Sequence, residues 1–259
     1  SVSLPGGCAI GARPVNLHLD GLKAMGAEIE INEGYICAKA RKLKGTEFSF
    51  STVSVTGTAN LMMAAVLAEG QSILENAAIE PEVINLGEFL LKMGAKIKGL
   101  GTRKITIDGV NKLFSTEHNI IPDRIEAGTF LVAATITNGN VILKKTQPEH
   151  LQSVLDLLTQ TGALISSEED KIELNMKQKN FKPADFTTQP YPGIPTDMQA
   201  QFMVLNAVAQ GNSIVIETIF ENRFMHVLEL QRMGADINLS GNTAYITGVK
   251  RLQSAPVMA

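Results

Sequence analysis

Four glycines recur at a nearly constant interval along the 259-residue chain, and each follows the same kind of apolar segment. They are Gly26, Gly94, Gly162 and Gly234, and they lie 68, 68 and 72 residues apart. A leucine stands four residues before each glycine. After the glycine, apolar and polar residues alternate, for example at residues 27–31 after Gly26. Because glycine adopts the left-handed conformation without a Cβ clash, the pattern predicts a helix that ends at each glycine and then a strand. The interval constrains the chain to repeat one structural unit.

A second glycine series supports the same repeat. Gly70, Gly139 and Gly211 are each predicted to end an earlier helix, 23 or 24 residues before a glycine of the first series. A short apolar strand is predicted between the two glycines, which makes the unit βαβαββ once a strand is added before its first helix. We predict an α/β (α+β) fold of such units around shared buried helices. The chain starts at the second helix of a unit, so we expect further sequence before Ser1 and beyond Ala259.

Composition excludes several function classes. A net charge of −3, an aromatic content of 5% and the absence of tryptophan argue against a nucleic-acid surface. Two cysteines, Cys8 and Cys37, form neither a disulfide framework nor a metal cluster, and we expect Cys37 to pack in a strand. The apolar runs fall short of the roughly 18 residues of a membrane-spanning helix. We therefore predict a cytoplasmic protein with no nucleic-acid partner and no membrane insertion.

The segment 3–14 carries a cysteine on a glycine-rich loop. Cys8 follows two glycines, and Arg13 stands five residues later, just before Pro14. A thiol becomes a useful acid or nucleophile where a nearby cation lowers its pKa, and an arginine also holds an anionic substrate through paired hydrogen bonds. The segment predicts a reactive thiol with an anion-binding neighbour. The alternative is a Gly-Pro turn with an incidental cysteine.

Two predicted helix starts are candidate binding positions. Ser54 to Gly57 precedes an apolar helical segment, and its backbone amides could cradle a diphosphate, although an ordinary helix cap is the alternative. Residues 196–199 form a capping-box pattern that begins at Thr196 and contains Asp197. Asp197 is either a carboxylate aimed at a substrate hydroxyl, as hydrogen-bond acceptor or general base, or a complement to the helix dipole.

The chain as a whole resembles the UDP-N-acetylglucosamine 1-carboxyvinyltransferases, the enolpyruvyl transferases that open bacterial peptidoglycan synthesis. The resemblance covers essentially all 259 residues, and its most specific stretches are 5–8, 11–15, 75–78, 80–82, 122–125, 128–134, 195–202 and 217–226. The family implies two similar domains, here partial and assigned to 1–121 and 122–259. Each is built from βαβαββ units around buried helices as an inside-out α/β barrel.

The resemblance also implies a reaction. The enolpyruvyl group of phosphoenolpyruvate moves to the 3-hydroxyl of UDP-N-acetylglucosamine by addition and elimination, and phosphate is released without a metal or organic cofactor. Cys8 matches the family's proton donor, which fosfomycin alkylates. Arg13 matches an arginine that contacts substrate anions, Asp197 the carboxylate beside the sugar 3-hydroxyl, and Arg223 an arginine on the phosphoenolpyruvate side. The implied catalytic residues are Cys8, Arg13, Asp197 and Arg223.

The family's substrate-binding positions can be carried over in the same way. Besides Arg13 and Asp197, they fall on Pro14, Val15, Asn16, Leu17, Thr52, Val53, Ser54, Val55 and Ile219. Two of them depart from the family pattern, since Asn16 stands where many members have aspartate and Thr52 where many have lysine. These departures change one uridine contact and remove one positive charge near the diphosphate.

Other readings stay open at this point. The sister family, the 3-phosphoshikimate enolpyruvyl transferases, shares the repeat but lacks the Gly-Gly-Cys loop. A substrate-binding paralogue without turnover and a repeat scaffold are further alternatives, and the oligomeric state is not indicated. Other family active-site residues are expected before Ser1 and beyond Ala259, so we expect the 259-residue stretch alone to be inactive.

Overall fold

The computed structural model describes residues 1–3, 15–177 and 181–258. The helices of this part of the chain are α1 (Asn16–Ala24), α2 (Val55–Ala65), α3 (Pro81–Lys92), α4 (Arg124–Ile136), α5 (Gln152–Gln160), α6 (Gln199–Val208) and α7 (His226–Arg232). Short 3-10 turns precede two of them, at Pro148–Leu151 before α5 and at Thr196–Met198 before α6. Among the described residues, no helix has the length and apolar character needed to cross a lipid bilayer.

The strands alternate with these helices and are short. They are β1 (Val2–Ser3), β2 (Glu28–Asn32), β3 (Tyr35–Lys39), β4 (Glu47–Ser49), β5 (Gln71–Glu75), β6 (Lys96–Lys98), β7 (Lys104–Asp108), β8 (Asn140–Lys144), β9 (Leu164–Glu168), β10 (Lys171–Asn175), β11 (Phe186–Thr187), β12 (Asn212–Ile216), β13 (Asp236–Ser240) and β14 (Thr243–Thr247). Cys37 lies half-buried on β3 as a free thiol, in the strand expected for it.

Two units contain all six predicted elements and share one topology. The first runs β4, α2, β5, α3, β6, β7 with sheet order β4-β5-β7-β6, and the second runs β11, α6, β12, α7, β13, β14 with order β11-β12-β14-β13. In both sheets the first two strands are parallel and the other neighbours are antiparallel. The predicted βαβαββ unit and the mixed α/β fold class are confirmed.

The other two sheets have three strands each, in the orders β1-β3-β2 and β8-β10-β9. The sheet with β8 is preceded by α4 and carries α5 between β8 and β9, as the repeat requires. Within the described residues this sheet has no strand before α4. Its three strands are antiparallel and in register over their full five-residue length.

The first glycine series ends helices in the predicted way. Gly26, Gly94, Gly162 and Gly234 have φ values of 90°, 98°, 103° and 88°, the left-handed region that glycine adopts at little cost. The second series is only partly right. The left-handed residue after α4 is Asn138, with φ 52°, rather than Gly139. Asparagine tolerates this conformation better than most side chains, so it replaces glycine there.

The described residues divide into two compact units, each with its own core. Along the chain the boundary between them falls between Ile121 and Pro122. In the first unit Leu61, Met62 and Ala65 of α2 are fully buried. In the second unit Leu131 of α4 and Phe202 of α6 occupy the centre. Burying a side chain of this size contributes about 1.5–3 kcal/mol to stability. Buried helices therefore form both cores, as predicted, while the assignment of the two family domains stays a prediction.

Candidate functional site

Three predicted site residues lie outside the described residues. They are Cys8, Arg13 and Pro14, so the reactive thiol and its anion-binding neighbour stay predictions. The other predicted residues fall at helix starts or on the loop after β12.

The predicted nucleotide-binding stretch forms the start of α1. Val15 occupies the cap position with helical dihedral angles, and its side chain makes no capping hydrogen bond. Asn16 is exposed, while Leu17 is half-buried against the core of the first unit. Leu17 therefore anchors the helix start, and the amide of Asn16 is presented to solvent.

The predicted diphosphate cradle is a helix start with a local cap. The Ser54 hydroxyl accepts a hydrogen bond from the Gly57 amide at 3.0 Å, and α2 begins at Val55. The first intrahelical bond runs from the Thr58 amide to the Ser54 carbonyl at 2.9 Å. The amides before Thr58 have no carbonyl one turn earlier, and the Ser54 hydroxyl engages the one of Gly57, so the amides of Val55 and Thr56 form the positive end that can face an anion. The helix start at Ser54 is confirmed, and its use as a cradle stays a prediction.

Two further predicted binding residues precede this cap. Thr52 is exposed, and Val53 is half-buried against the core of the first unit. Val55, the first residue of α2, has an exposed side chain. Thr52 therefore presents a neutral hydroxyl to solvent.

A histidine that the sequence did not single out joins these two helix starts. The ring Nδ1 of His18 lies 2.9 Å from Nδ2 of Asn60, and its Nε2 lies 3.4 Å from Oγ1 of Thr56. An asparagine amide donates, so Nδ1 accepts and the proton resides on Nε2. Burial lowers the pKa of His18 below its usual value, which favours this neutral form. The contact depends on residues 38 and 42 positions away in the chain, so no local pattern indicates it.

In the second unit the structure brings together two residues that the resemblance implied separately. The Arg223 guanidinium donates from Nη2 to Oδ1 of Asp197 at 2.8 Å. The Asp197 side chain is 58% exposed and that of Arg223 is 18% exposed. The carboxylate thus stays accessible to a hydroxyl donor, while the arginine is held at a fixed angle and keeps other N–H groups for an anion.

The predicted capping box at residues 196–199 is wrong. Thr196 to Met198 form a 3-10 turn, α6 begins at Gln199, and neither start has a side-chain cap. The Thr196 hydroxyl instead donates to Oε2 of Glu217 at 2.9 Å. A hydrogen bond to a carboxylate is stronger than one to a neutral acceptor, so the charged partner prevails over the local cap.

Glu217 is the functional-site residue that sequence reasoning missed. It directly follows β12 and is 3% exposed. Its two carboxylate oxygens accept five hydrogen bonds, from the side chains of Thr188, Thr196 and Gln199 and from the amides of Ile219 and Phe220. Buried carboxylates need such partners, because desolvation of a charge is costly. The available signal was its place at the head of the stretch 217–226, in which the resemblance gave it no role.

The last predicted binding residue lies on the loop that Glu217 organises. The Ile219 amide donates to Oε1 of Glu217 at 2.7 Å, and its side chain is exposed. That placement suits a contact with a flat ligand such as a nucleobase, which stays a prediction.

The start of α6 is also fixed by close packing against α4. Met198 is fully buried, and a Cβ placed on Gly128 would lie 2.9 Å from both its Sδ and its Cε. Real Cβ atoms do not approach neighbours so closely, so a residue larger than glycine at position 128 would shift the flexible end of the Met198 side chain. This contact holds the residue that directly follows Asp197.

A second histidine lies close to Arg223. His226 starts α7, and its Nε2 is buried without a hydrogen-bond partner. Burial is the largest cause that lowers the pKa of His226, the charge of Arg223 lowers it further, and a hydrogen bond to the Arg223 backbone opposes both. The ring is therefore a neutral packing group beside Arg223. Among the described residues, no three histidine, cysteine or acidic side chains are arranged to hold a metal.

Comparisons with known proteins agree on one family. A model of the EPSP synthase (3-phosphoshikimate 1-carboxyvinyltransferase) family matches residues 1–259. The UDP-N-acetylglucosamine 1-carboxyvinyltransferase of Hydrogenovibrio crunogenus is 56% identical over 258 residues, which cover 100% of this chain and 62% of that protein. The chain thus spans less than two thirds of the length of this relative.

Solved structures agree on the fold. The enolpyruvyl transferase NikO from Streptomyces tendae matches with a TM-score of 0.82 at 20% identity, over 92% of this chain and 59% of that one. EPSP synthase from Acinetobacter baumannii matches with a TM-score of 0.68 at 21% identity, over 95% and 59%. These likenesses confirm the predicted enolpyruvyl transferase fold.

Proposed function

Because this chain belongs to the EPSP synthase (3-phosphoshikimate 1-carboxyvinyltransferase) family, we propose that its protein is an enolpyruvyl transferase with UDP-N-acetylglucosamine as the acceptor. It transfers the enolpyruvyl group of phosphoenolpyruvate to the sugar 3-hydroxyl and releases phosphate. The observation that carries this proposal is the identity, at more than half of all positions, with a relative of that name. The proposal places the protein in peptidoglycan synthesis in the cytoplasm.

The proposed chemistry has two steps. Cys8 protonates the methylene carbon of phosphoenolpyruvate while the sugar oxygen adds to the neighbouring carbon, which opens the double bond and gives a tetrahedral intermediate. Loss of a methyl proton with departure of phosphate then restores the double bond. Asp197 takes the proton of the 3-hydroxyl as general base, a role that its exposed carboxylate supports.

Arg223 has two tasks in this proposal. It fixes the direction of the Asp197 carboxylate through the 2.8 Å hydrogen bond, and its other donors bind the anionic groups of phosphoenolpyruvate together with Arg13. A guanidinium suits both tasks, because its planar array of donors is always charged.

The acceptor is proposed to bind along the helix starts of the first unit. The positive end of α2, with Ser54 and Val55, takes the diphosphate, and Thr52 and Val53 lie beside it. The proposal further assigns acceptor contacts to Arg13, Pro14, Val15, Asn16 and Leu17, and it assigns a nucleotide contact to Ile219.

The test is phosphate release by the full-length protein that carries this sequence. Phosphoenolpyruvate is supplied together with either UDP-N-acetylglucosamine or shikimate 3-phosphate as acceptor. We expect turnover only when the acceptor is the sugar nucleotide. Turnover with shikimate 3-phosphate would instead assign the acceptor of the sister enzymes, and binding of the sugar nucleotide without turnover would indicate a non-catalytic paralogue.

A second experiment addresses the proposed proton donor. Fosfomycin is added to the full-length protein with UDP-N-acetylglucosamine present, and the peptides are analysed by mass spectrometry. We expect a single adduct, on Cys8. An adduct on Cys37 or on neither cysteine would contradict the proposed role of Cys8.

A further inference from the structure

We propose that Glu217 is a positioning residue for the transfer reaction, and that its buried carboxylate sets the geometry of the Asp197–Arg223 pair. This inference rests on the proposed function and deepens it. Glu217 does not face the reacting atoms in this proposal. It acts through the two residues that do.

One carboxylate oxygen holds the segment that carries Asp197. Oε2 of Glu217 accepts from the Thr196 hydroxyl at 2.9 Å and from Nε2 of Gln199 at 3.2 Å. Thr196 is the first residue of the 3-10 turn that contains Asp197, and Gln199 directly follows that turn. The two hydrogen bonds therefore fix both ends of the turn relative to β12.

The other oxygen holds the segment that carries Arg223. Oε1 of Glu217 accepts from the amides of Ile219 and Phe220 at 2.7 and 3.1 Å. The next turn follows at once, because the Arg223 amide donates to the Phe220 carbonyl at 3.4 Å. The backbone that leads to Arg223 is thus anchored to the same side chain as the turn of Asp197.

The fifth hydrogen bond to Glu217 ties its carboxylate to the sheet. The Thr188 hydroxyl donates to Oε1 of Glu217 at 2.8 Å, and the Thr218 amide donates to Oγ1 of Thr188 at 2.9 Å. Thr188 directly follows β11 and is fully buried. The carboxylate therefore links three segments, and only the full set of donors makes burial of its charge favourable.

The test is steady-state kinetics on four full-length proteins: the wild type, Glu217→Ala, Asp197→Asn and the double variant. We expect Glu217→Ala to lower kcat by about 100-fold, the scale of a displacement of about 1 Å in an active site. If Glu217 acts through Asp197, the same change costs far less when Asp197 is already replaced. Equal fold-losses of kcat in both backgrounds would overturn the proposal, as would a kcat for Glu217→Ala close to that of the wild type.

A conservative variant and a control separate positioning from stability. Glu217→Gln keeps one oxygen for the loop amides, and Gln199 can turn its amide over, because its Oε1 is buried without a partner. We expect this variant to recover most of the lost kcat. Thr196→Val, which removes the hydrogen bond from Thr196 to Glu217, replaces Glu217→Ala in the cycle if that variant does not fold. Glu168→Ala removes an exposed carboxylate of β9 that pairs with Lys171, and we expect no change in kcat.

A readout without turnover distinguishes failure of this inference from failure of the proposed function. In a crystal structure of either Glu217 variant we measure the distance from Oδ1 of Asp197 to Nη2 of Arg223, which is 2.8 Å with Glu217 present. In Glu217→Ala we expect the pair to separate beyond about 3.5 Å, outside hydrogen-bonding range. An unchanged pair in Glu217→Ala would overturn the inference even if the wild type used a different acceptor.

Discussion

The two complete βαβαββ units place different side chains at the same point of their four-stranded sheets. In the first unit the residue after β5 is Asn76, whose amide donates at 2.8 Å to the carbonyl of Phe50, directly after β4. In the second unit the residue after β12 is Glu217, which accepts from the hydroxyl of Thr188, directly after β11. Both side chains join the ends of the parallel strand pair. Glu217 also reaches the start of the next helix through Thr196.

The difference shows how one fold yields two kinds of helix start. The start of α2 is capped by Ser54, three residues before the amide that it binds. The start before α6 depends on Glu217, which is 21 residues from Thr196. The Ser54 cap engages the Gly57 amide, so the earlier amides of Val55 and Thr56 are the ones offered to a ligand. The start before α6 is held by Glu217, a residue distant in sequence. A charged residue of its turn, Asp197, is therefore free to pair with Arg223 on another loop.

The largest effect is expected at the turn before α6, on removal of the Asp197 carboxylate. Asp197→Asn keeps the size of the side chain and removes its basicity, so we expect kcat for phosphate release to fall about 100-fold or more. Asp170→Asn makes the same change in the exposed turn between β9 and β10 and serves as the control. A kcat for Asp197→Asn equal to that of the control would remove Asp197 from the reaction.

The next test compares the two residues that follow the parallel strands. Glu217→Ala leaves several donors buried without an acceptor, so we expect the free energy of unfolding to fall by about 3 kcal/mol. Asn76→Gly removes one hydrogen bond from the corresponding place and suits the left-handed backbone there, with φ 53°, so we expect a loss of about 1 kcal/mol. Urea unfolding of the two variants gives both values. Equal losses would mean that the charge of Glu217 adds nothing to the shared strand-end contact.

A smaller effect is expected at the locally capped start. Ser54→Ala removes the acceptor of the Gly57 amide and should cost about 1 kcal/mol of stability, as is usual for a helix cap. Thr196→Val should not behave as a cap variant, because the Thr196 hydroxyl donates to Glu217. We expect Ser54→Ala to raise the KM for the sugar nucleotide and Thr196→Val to lower kcat. Urea unfolding and phosphate-release kinetics measure the two effects, and the reverse pattern would contradict the assignment of the two starts.

The smallest effect is a pH dependence at the start of α1. Burial lowers the pKa of His18 in the folded state, so its contribution to stability is complete above the unfolded value of about 6.5 and is lost as the pH falls. His226 shifts in the same direction. We expect the urea midpoint of the wild type to decrease on acidification from about pH 7.5 to about pH 5.5, and to decrease less in His18→Gln. Equal decreases would show that His18 does not titrate in this range.

Regular features of the fold were predictable because their causes are local. The glycines of the first series act on their own helix ends, and Ser54 caps the helix that it precedes. Asp197 was indicated by its place in a predicted helix start, whereas Arg223 entered only through the family resemblance, since no neighbour marks it. Their pairing and the role of Glu217 depend on contacts between segments that join only in the folded sheet. The capping box failed for the same reason, because a remote carboxylate competes for the Thr196 hydroxyl.

The sheet order of the complete units has a consequence for the way the protein folds. The hairpins β6–β7 and β13–β14 pair strands that are adjacent in sequence and can form within microseconds. The parallel pairs β4–β5 and β11–β12 join strands that are separated by a whole helix, so they close more slowly. Asn76 and Glu217 sit at the ends of these late pairs. We therefore expect the Asp197–Arg223 pair to form after the hairpins, once the parallel strands of its unit have paired.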